Sequence, residues 1–129
     1  MRSAVILVML SFFVVQVAGC GSGAALEYGD AAAHFNEDKL LEKGEPYLGE
    51  KIVVKGTVTK HDITDPENSK VYLGHSICCN FGDLKKMAEN CNEGDSIFVM
   101  GILKRLEDGD ILLEPAMKRD PKAEFNPVE

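Results

Sequence analysis

A mainly β chain closed into a small five-stranded barrel is what the sequence predicts, and three observations predict it. One strand pattern occurs twice, as GEKIVVKGTVT over 49–59 and GDSIFVMGILK over 94–104, each with alternating apolar residues and an interior glycine. Alternation with period two marks a strand with one buried face, where a helix would repeat every 3.6 residues. An interior Gly weakens a strand unless the chain needs a bulge, a bend or a close backbone approach. Gly56 and Gly101 are therefore read as corners of a strongly coiled, closing sheet. The third observation is the clearest helical stripe, Leu84, Met87, Ala88 and Cys91, which falls between the third and fourth strand patterns. A helix there, apolar on one face, plugs the end of a five-stranded Greek-key barrel.

At 129 residues there is room for one domain and accessory segments, not for two cores. A cationic start, Met1-Arg2-Ser3, precedes the apolar run AVILVMLSFFVVQVA, which is shorter than the ~20 residues a membrane-spanning helix needs. It reads as a signal-peptide core over 1–19. The run ends in Val17-Ala18-Gly19-Cys20, which resembles the bacterial lipobox, a branched apolar residue and two small residues before an obligatory Cys. The resemblance implies that Cys20 is the lipidation site: its sulfur takes a diacylglyceryl group, and the acylated residue, palmitate-type chains included, becomes the mature N-terminus. Two or three chains, at ~0.8 kcal/mol per buried CH₂, hold far more firmly than one marginal chain. Residues 20–29 then form a short tether, flexible in its GSGAA stretch, that keeps the folded part near the bilayer. Gly21 in place of an acid lacks the inner-membrane retention cue of some lipoproteins, so the expected address is the envelope, and the outer membrane if the source has two.

The folded domain is expected over 30–118. Residues 30–43 read as a leading N-terminal helix, with Asp30 or Asn36 as N-cap, Gly44 as the stop, and a thin apolar face of Phe35, Leu40 and Leu41. His34 there is expected to be an exposed or satisfied helix histidine. After the first strand, HDITDPENS over 61–69 is a turn-rich loop. A second strand over 70–73 leads through Gly74-His75, which suits a hairpin turn, into a third over 76–81. Ile77, Cys79 and Phe81 are assigned to the core, and Ser76, Cys78 and Asn80 to the other face. Asp83 is expected to cap the helix over 84–90. The fourth strand covers 96–106, Asp108-Gly109 makes a hairpin turn, and the fifth covers 111–117, where Pro115 implies an edge or an irregular end. Residues 119–129, with two prolines and little apolar content, are expected to be a loose tail.

Strand, strand, strand, helix, strand, strand, with Gly-kinked first and fourth strands, is the OB-fold order. The residues also resemble the small OB-fold domains classed as tRNA-anticodon-like (tRNA_anti-like), often found in bacterial envelope proteins. The likeness covers about 36–118 and rests on Asn36-Glu37, Tyr47-Leu48-Gly49-Glu50-Lys51, Val54-Lys55-Gly56-Thr57-Val58, Ile77-Cys78-Cys79-Asn80-Phe81 and Gly94 to Gly101. It implies a fold more than a function. A Cys that the family carries after the second kink Gly is absent, Ile102 and Leu103 standing there, so the family's disulfide is not implied.

Export would place Cys78, Cys79 and Cys91 in an oxidising compartment. Cys79 and Cys91 both point to the expected core and are the candidate disulfide pair, three unbridged thiols being the alternative. His75, Cys78, Cys79 and His61 have metal-ligand chemistry, but zinc sites commonly use two separated ligand pairs and the second is missing. No metal, cofactor or catalytic residue is therefore assigned, and no nucleophile elbow or phosphate loop occurs. OB barrels bind single strands by stacking bases in a basic groove. Tyr72, Phe81 and Phe98 could stack and Lys55, Lys60, Lys70, Lys104 and Arg105 could meet phosphate, although Phe81 and Phe98 read as core. The net charge of −7 becomes −8 once residues 1–19 and with them Arg2 are removed, which disfavours a nucleic-acid partner. The expected protein is a non-catalytic module, anchored to the bilayer through acylated Cys20, that binds a protein, peptide or glycan. The alternatives are a single-strand binder, or a metal- or thiol-dependent activity at His75, Cys78 and Cys79.

Overall fold

The computed structural model describes residues 31–129, so the expected signal peptide, Cys20 and the expected tether lie outside the described residues. Six strands appear in chain order: β1 (Ala33–Asn36), β2 (Lys51–Asp62), β3 (Ser69–Leu73), β4 (Ile77–Gly82), β5 (Ser96–Glu107) and β6 (Asp110–Arg119). Two short helices interrupt them, α1 (Leu40–Lys43) and α2 (Lys85–Glu89). The sheet order is β1-β2-β3-β4-β6-β5, and a further β2–β5 pairing closes it. β2 to β6 thus form a five-stranded barrel of OB type, in which β4 and β6 run parallel and the other barrel pairs antiparallel.

Closure depends on β2 serving two partners. Its first half, Lys51 to Thr57, pairs with β5, and its second half, Val58 to Asp62, pairs with β3. The switch is a bulge between Val58 and Lys60, where the Thr59 hydroxyl donates to the carbonyls of Tyr72 and Gly74. Gly56 lies short of that bulge. Its lack of a side chain instead admits the Glu37 carboxylate, which accepts a hydrogen bond from the Thr57 amide at 2.7 Å, and the Leu73 side chain. Gly101 sits where the β5–β6 register shifts and faces Ala116 across the ladder. Pro115 falls in the same irregularity, as an irregular stretch of strand should accommodate it.

The core is the inward set of the barrel strands: Ile52, Val54, Val58, Val71, Leu73, Ile77, Cys79, Phe81, Ile97, Val99, Leu103, Ile111 and Leu113. Ala88 and Cys91 close one end and Met87 packs beside them. The stripe on α2 is therefore as expected, with two corrections. Leu84 stays exposed, and the N-cap position is Leu84 with no side-chain cap, so Asp83 does not cap the helix.

The leading segment differs from expectation. Ala33 to Asn36 form a strand parallel to the first half of β2, a 3-10 turn follows over Glu37–Lys39, and only Leu40–Lys43 is helical. Phe35 and Leu40 are fully buried while Leu41 is exposed. Pairing with β2 satisfies the backbone and sinks Phe35, whereas an isolated helix this short with so thin an apolar face is marginal.

The tail is not loose. Val128 donates its amide to the His34 carbonyl, Asn126 donates its amide to His34 Nδ1 at 2.8 Å, and the Phe125 ring stacks on the imidazole at 5.6 Å. His34 is satisfied, but on a strand. Its Nδ1 accepts, so the neutral ring carries its proton on Nε2 in this hydrogen-bond network. Burial, then the Arg119 charge, hold its pKa below the ordinary 6.5, against an opposing pull from Glu124. Since the unfolded chain then binds the proton more readily, this stabilisation is present above pH 6.5 and is lost as pH falls through the folded-state value. The Asn126 amide is expected to exchange with solvent markedly faster at pH 5 than at pH 7.5, after correction for intrinsic rates. A His34→Gln chain should show no such pH step, and equal protection of the wild-type amide at both pH values would refute this.

Candidate binding face

The strand register aligns one row of side chains across the outside of the barrel. Lys60 on β2 pairs with Tyr72 on β3, Tyr72 with Cys78 on β4, Cys78 with Leu112 on β6, and Leu112 with Arg105 on β5. Alternation explains why they share a face: their neighbours Val71, Cys79, Ile111 and Leu113 point into the core. A second row runs beside it, from Asp62 through Lys70 to Asn80 and on to Glu114. This is the strand 2–3 face that OB folds use for oligonucleotides and oligosaccharides.

Tyr72 is the centre of the first row. The Lys60 ammonium sits 4.8 Å from its ring centroid, a cation–π contact that holds the ring. Burial, then the neighbouring Cys78 thiol, raise the Tyr72 pKa. Burial likewise raises the half-buried Cys78 thiol, and the Tyr72 hydroxyl, Lys70 and Arg105 only partly offset it. The thiol is thus the form present at neutral pH, which suits a contact surface better than a nucleophile. At the far end Arg105 grips Asp110 with two contacts, at 3.0 and 2.9 Å.

In the second row Asn80 is buried and fully engaged. Its Nδ2 donates to Glu114 Oε2 at 2.7 Å and to Asn68 Oδ1 at 3.2 Å, while its Oδ1 accepts the Gly82 amide at 2.8 Å. The adjoining β2–β3 loop is stiffened by Asp65, which accepts from Glu67 N and Asn68 Nδ2, and by Asp62, which accepts from both the amide and the hydroxyl of Thr64. These hydrogen bonds, to the side chain first in each case, hold both carboxyls below their ordinary pKa. The rim of the face is therefore ordered and anionic at neutral pH.

No family model matches this chain, and no curated protein does either.

The other sequence candidates are dispersed. Lys55 and Phe98 lie together, 5.7 Å apart, on a different part of the surface, where Phe98 meets Phe125 edge to face. Phe98 is accordingly half-buried, not core as expected, whereas Phe81 is core. Lys60, Lys70 and Arg105 do share the face with Tyr72, but Asp62, Asp110 and Glu114 stand among them and offset their charge. A phosphate backbone would gain little there.

Nor are His61, His75, Cys78 and Cys79 brought together. Adjacent residues of a strand point to opposite faces, so Cys78 is outside and Cys79 is in the core. His75 is exposed in the turn, and His61 Nδ1 bonds the Cys91 carbonyl at 2.9 Å. Among the described residues no group of three or more such side chains could hold a metal ion. Cys79 and Cys91 do share the core, where both stand as free thiols; burial, then Cys78 and Cys91, push the Cys79 thiol well up. Sequence reasoning missed Glu114 and Leu112 as members of the face. Their signal was the period-two pattern of β6, which only pairing with β4 turns into a position beside Cys78.

Proposed function

We propose that this chain is a lipid-anchored, non-catalytic binding module of the cell envelope, held to a bilayer through acylated Cys20 and engaging a peptide or glycan partner on the face centred on Tyr72. The observation that carries the reading is the cross-sheet row Lys60–Tyr72–Cys78–Leu112–Arg105. An aromatic ring pinned by a cation, flanked by an apolar side chain and by carboxylate and amide groups, presents stacking area together with donors and acceptors of balanced charge. That chemistry suits sugar rings or peptide backbone better than a polyanion. Lipid anchoring rests on Val17-Ala18-Gly19-Cys20. The barrel order and the two Gly-interrupted strands support a kinship with the tRNA-anticodon-like OB domains of envelope proteins.

The test uses the full chain in cells, with a photo-crosslinking residue in place of Tyr72 and, for comparison, of the exposed Lys43. One discrete envelope adduct is expected from position 72 and none from position 43, and Lys60→Glu should abolish it. Cys20→Ser should move the protein out of the membrane fraction, since the acyl chains supply the hold. Equal adducts from both positions would end the binding-face reading, and a Cys20→Ser chain that stays in the membrane would end the anchoring reading.

A further inference from the structure

We infer that the cavity bounded by the start of β5, the end of β6 and the C-terminal segment is an oxyanion-binding site anchored by Arg119. The cavity measures about 210 Å³ and is lined by Asp95, Ser96, Phe98, Lys118, Arg119 and Pro121. It shares no residue with the Tyr72 face and does not depend on how that face is used.

Arg119 carries the inference. Only 8% of its surface is exposed, yet no carboxylate lies within ion-pair distance of it among the described residues. One guanidinium nitrogen, Nη1, donates to the Glu124 carbonyl at 2.8 Å, while Nε is buried with no partner. A charge taken out of water is normally neutralised or matched to a counter-ion. An anion in the adjoining cavity, which Arg119 lines, supplies the missing charge.

The surroundings define its class. The guanidinium fork matches planar carboxylates and tetrahedral oxyanions, Lys118 adds a second cation, and Ser96 a hydroxyl. Asp95 opposes them, but its Oδ2 already accepts the Asn92 amide, and two cations outweigh one carboxylate. The volume is below the ~300 Å³ at which drug-sized pockets begin, so the ligand is small. Phe98, fixed between Lys55 and Phe125, makes one wall apolar, which favours a carboxylate on an aromatic or aliphatic body over a bare inorganic ion.

An amide and imidazole NMR titration with benzoate and, separately, sulfate, each against chloride at equal ionic strength, tests this. Saturable shifts at Ser96, Phe98 and the Arg119 Nε–H are expected with benzoate, and weaker ones with sulfate. Because the Arg119 charge depresses His34, its neutralisation should also raise the His34 titration midpoint, a readout that loose surface association would not move. Arg119→Gln should abolish the shifts. Should that chain fail to fold, Lys118→Gln, which leaves the Arg119 contacts in place, should weaken binding by roughly tenfold. Absence of saturable shifts with both anions, or benzoate binding unchanged in Lys118→Gln, would overturn the site.

Discussion

Replacing Phe35 with alanine is expected to cost roughly 3–5 kcal/mol of unfolding free energy, the range for removing a fully buried aromatic side chain. The ring has no exposure, sits in the barrel core and meets Tyr47 edge to face at 5.6 Å. For a domain stabilised by about 5–15 kcal/mol, that is a large share of the total. Urea unfolding should show a much lower midpoint with an unchanged slope, the sign that stability and not compactness has changed. Leu41→Ala is the control. Phe35 and Leu41 belong to one apolar face if residues 30–43 are helical, whereas in the structure Leu41 is 43% exposed. Its loss should therefore stay within about 0.5 kcal/mol. Equal costs at the two positions would contradict the β1–β2 pairing.

Gly101→Ala is expected to destabilise by roughly 1–3 kcal/mol, and nothing nearby should relieve it. A Cβ there would stand 2.8 Å from the Pro115 carbonyl oxygen and 3.0 Å from the Ala116 Cβ, atoms fixed by the paired strand. At Gly56 the nearest obstacle is different, the Glu37 carboxylate oxygen at 2.7 Å, which is the far end of a flexible side chain. Gly56→Ala should therefore cost through displacement of Glu37 from the Thr57 amide, together with a tighter Leu73 contact at 3.1 Å. A double-mutant cycle separates the two cases. In a Glu37→Ala background the cost of Gly56→Ala should fall, while that of Gly101→Ala should stay the same. Equal coupling of both glycines to Glu37 would show that the two positions are not distinct.

Each segment's legibility follows from where its partners lie. β2 to β6 were readable because a half-buried strand writes its own pattern: Ile52 and Val54, Val71 and Leu73, Ile77 and Cys79, Ile111 and Leu113 alternate whatever they pair with. The turn at Asp108-Gly109 was equally local, Gly109 supplying the positive φ that a two-residue hairpin needs. β1 was not readable. Four residues are too few to show a period, and Phe35 with Leu40 and Leu41 fits a helix face as well as a strand followed by a turn. What decides is the parallel ladder to Ile52 through Lys55, which no local pattern encodes.

Of the binding face, Cys78 and Asn80 were placed opposite the core by alternation alone, Tyr72 was visible only as an aromatic that could stack, and Lys60 and Arg105 were visible as cations. Their assembly into one row, with Glu114 and Leu112 added and Phe98 removed, came from register between strands far apart in sequence. Arg119 was invisible in the same way, since its burial depends on the chain end folding back over it.

By itself the sequence determined the five barrel strands, the closing helix, the acidic charge and the Val17-Ala18-Gly19-Cys20 signature, which need no knowledge of distant partners. Only the tertiary structure decided what the two matching glycines do, where the leading segment pairs, and that the tail covers His34 and Arg119. Those outcomes depend on contacts between distant residues, where loop closure and register, not local propensity, select the partner.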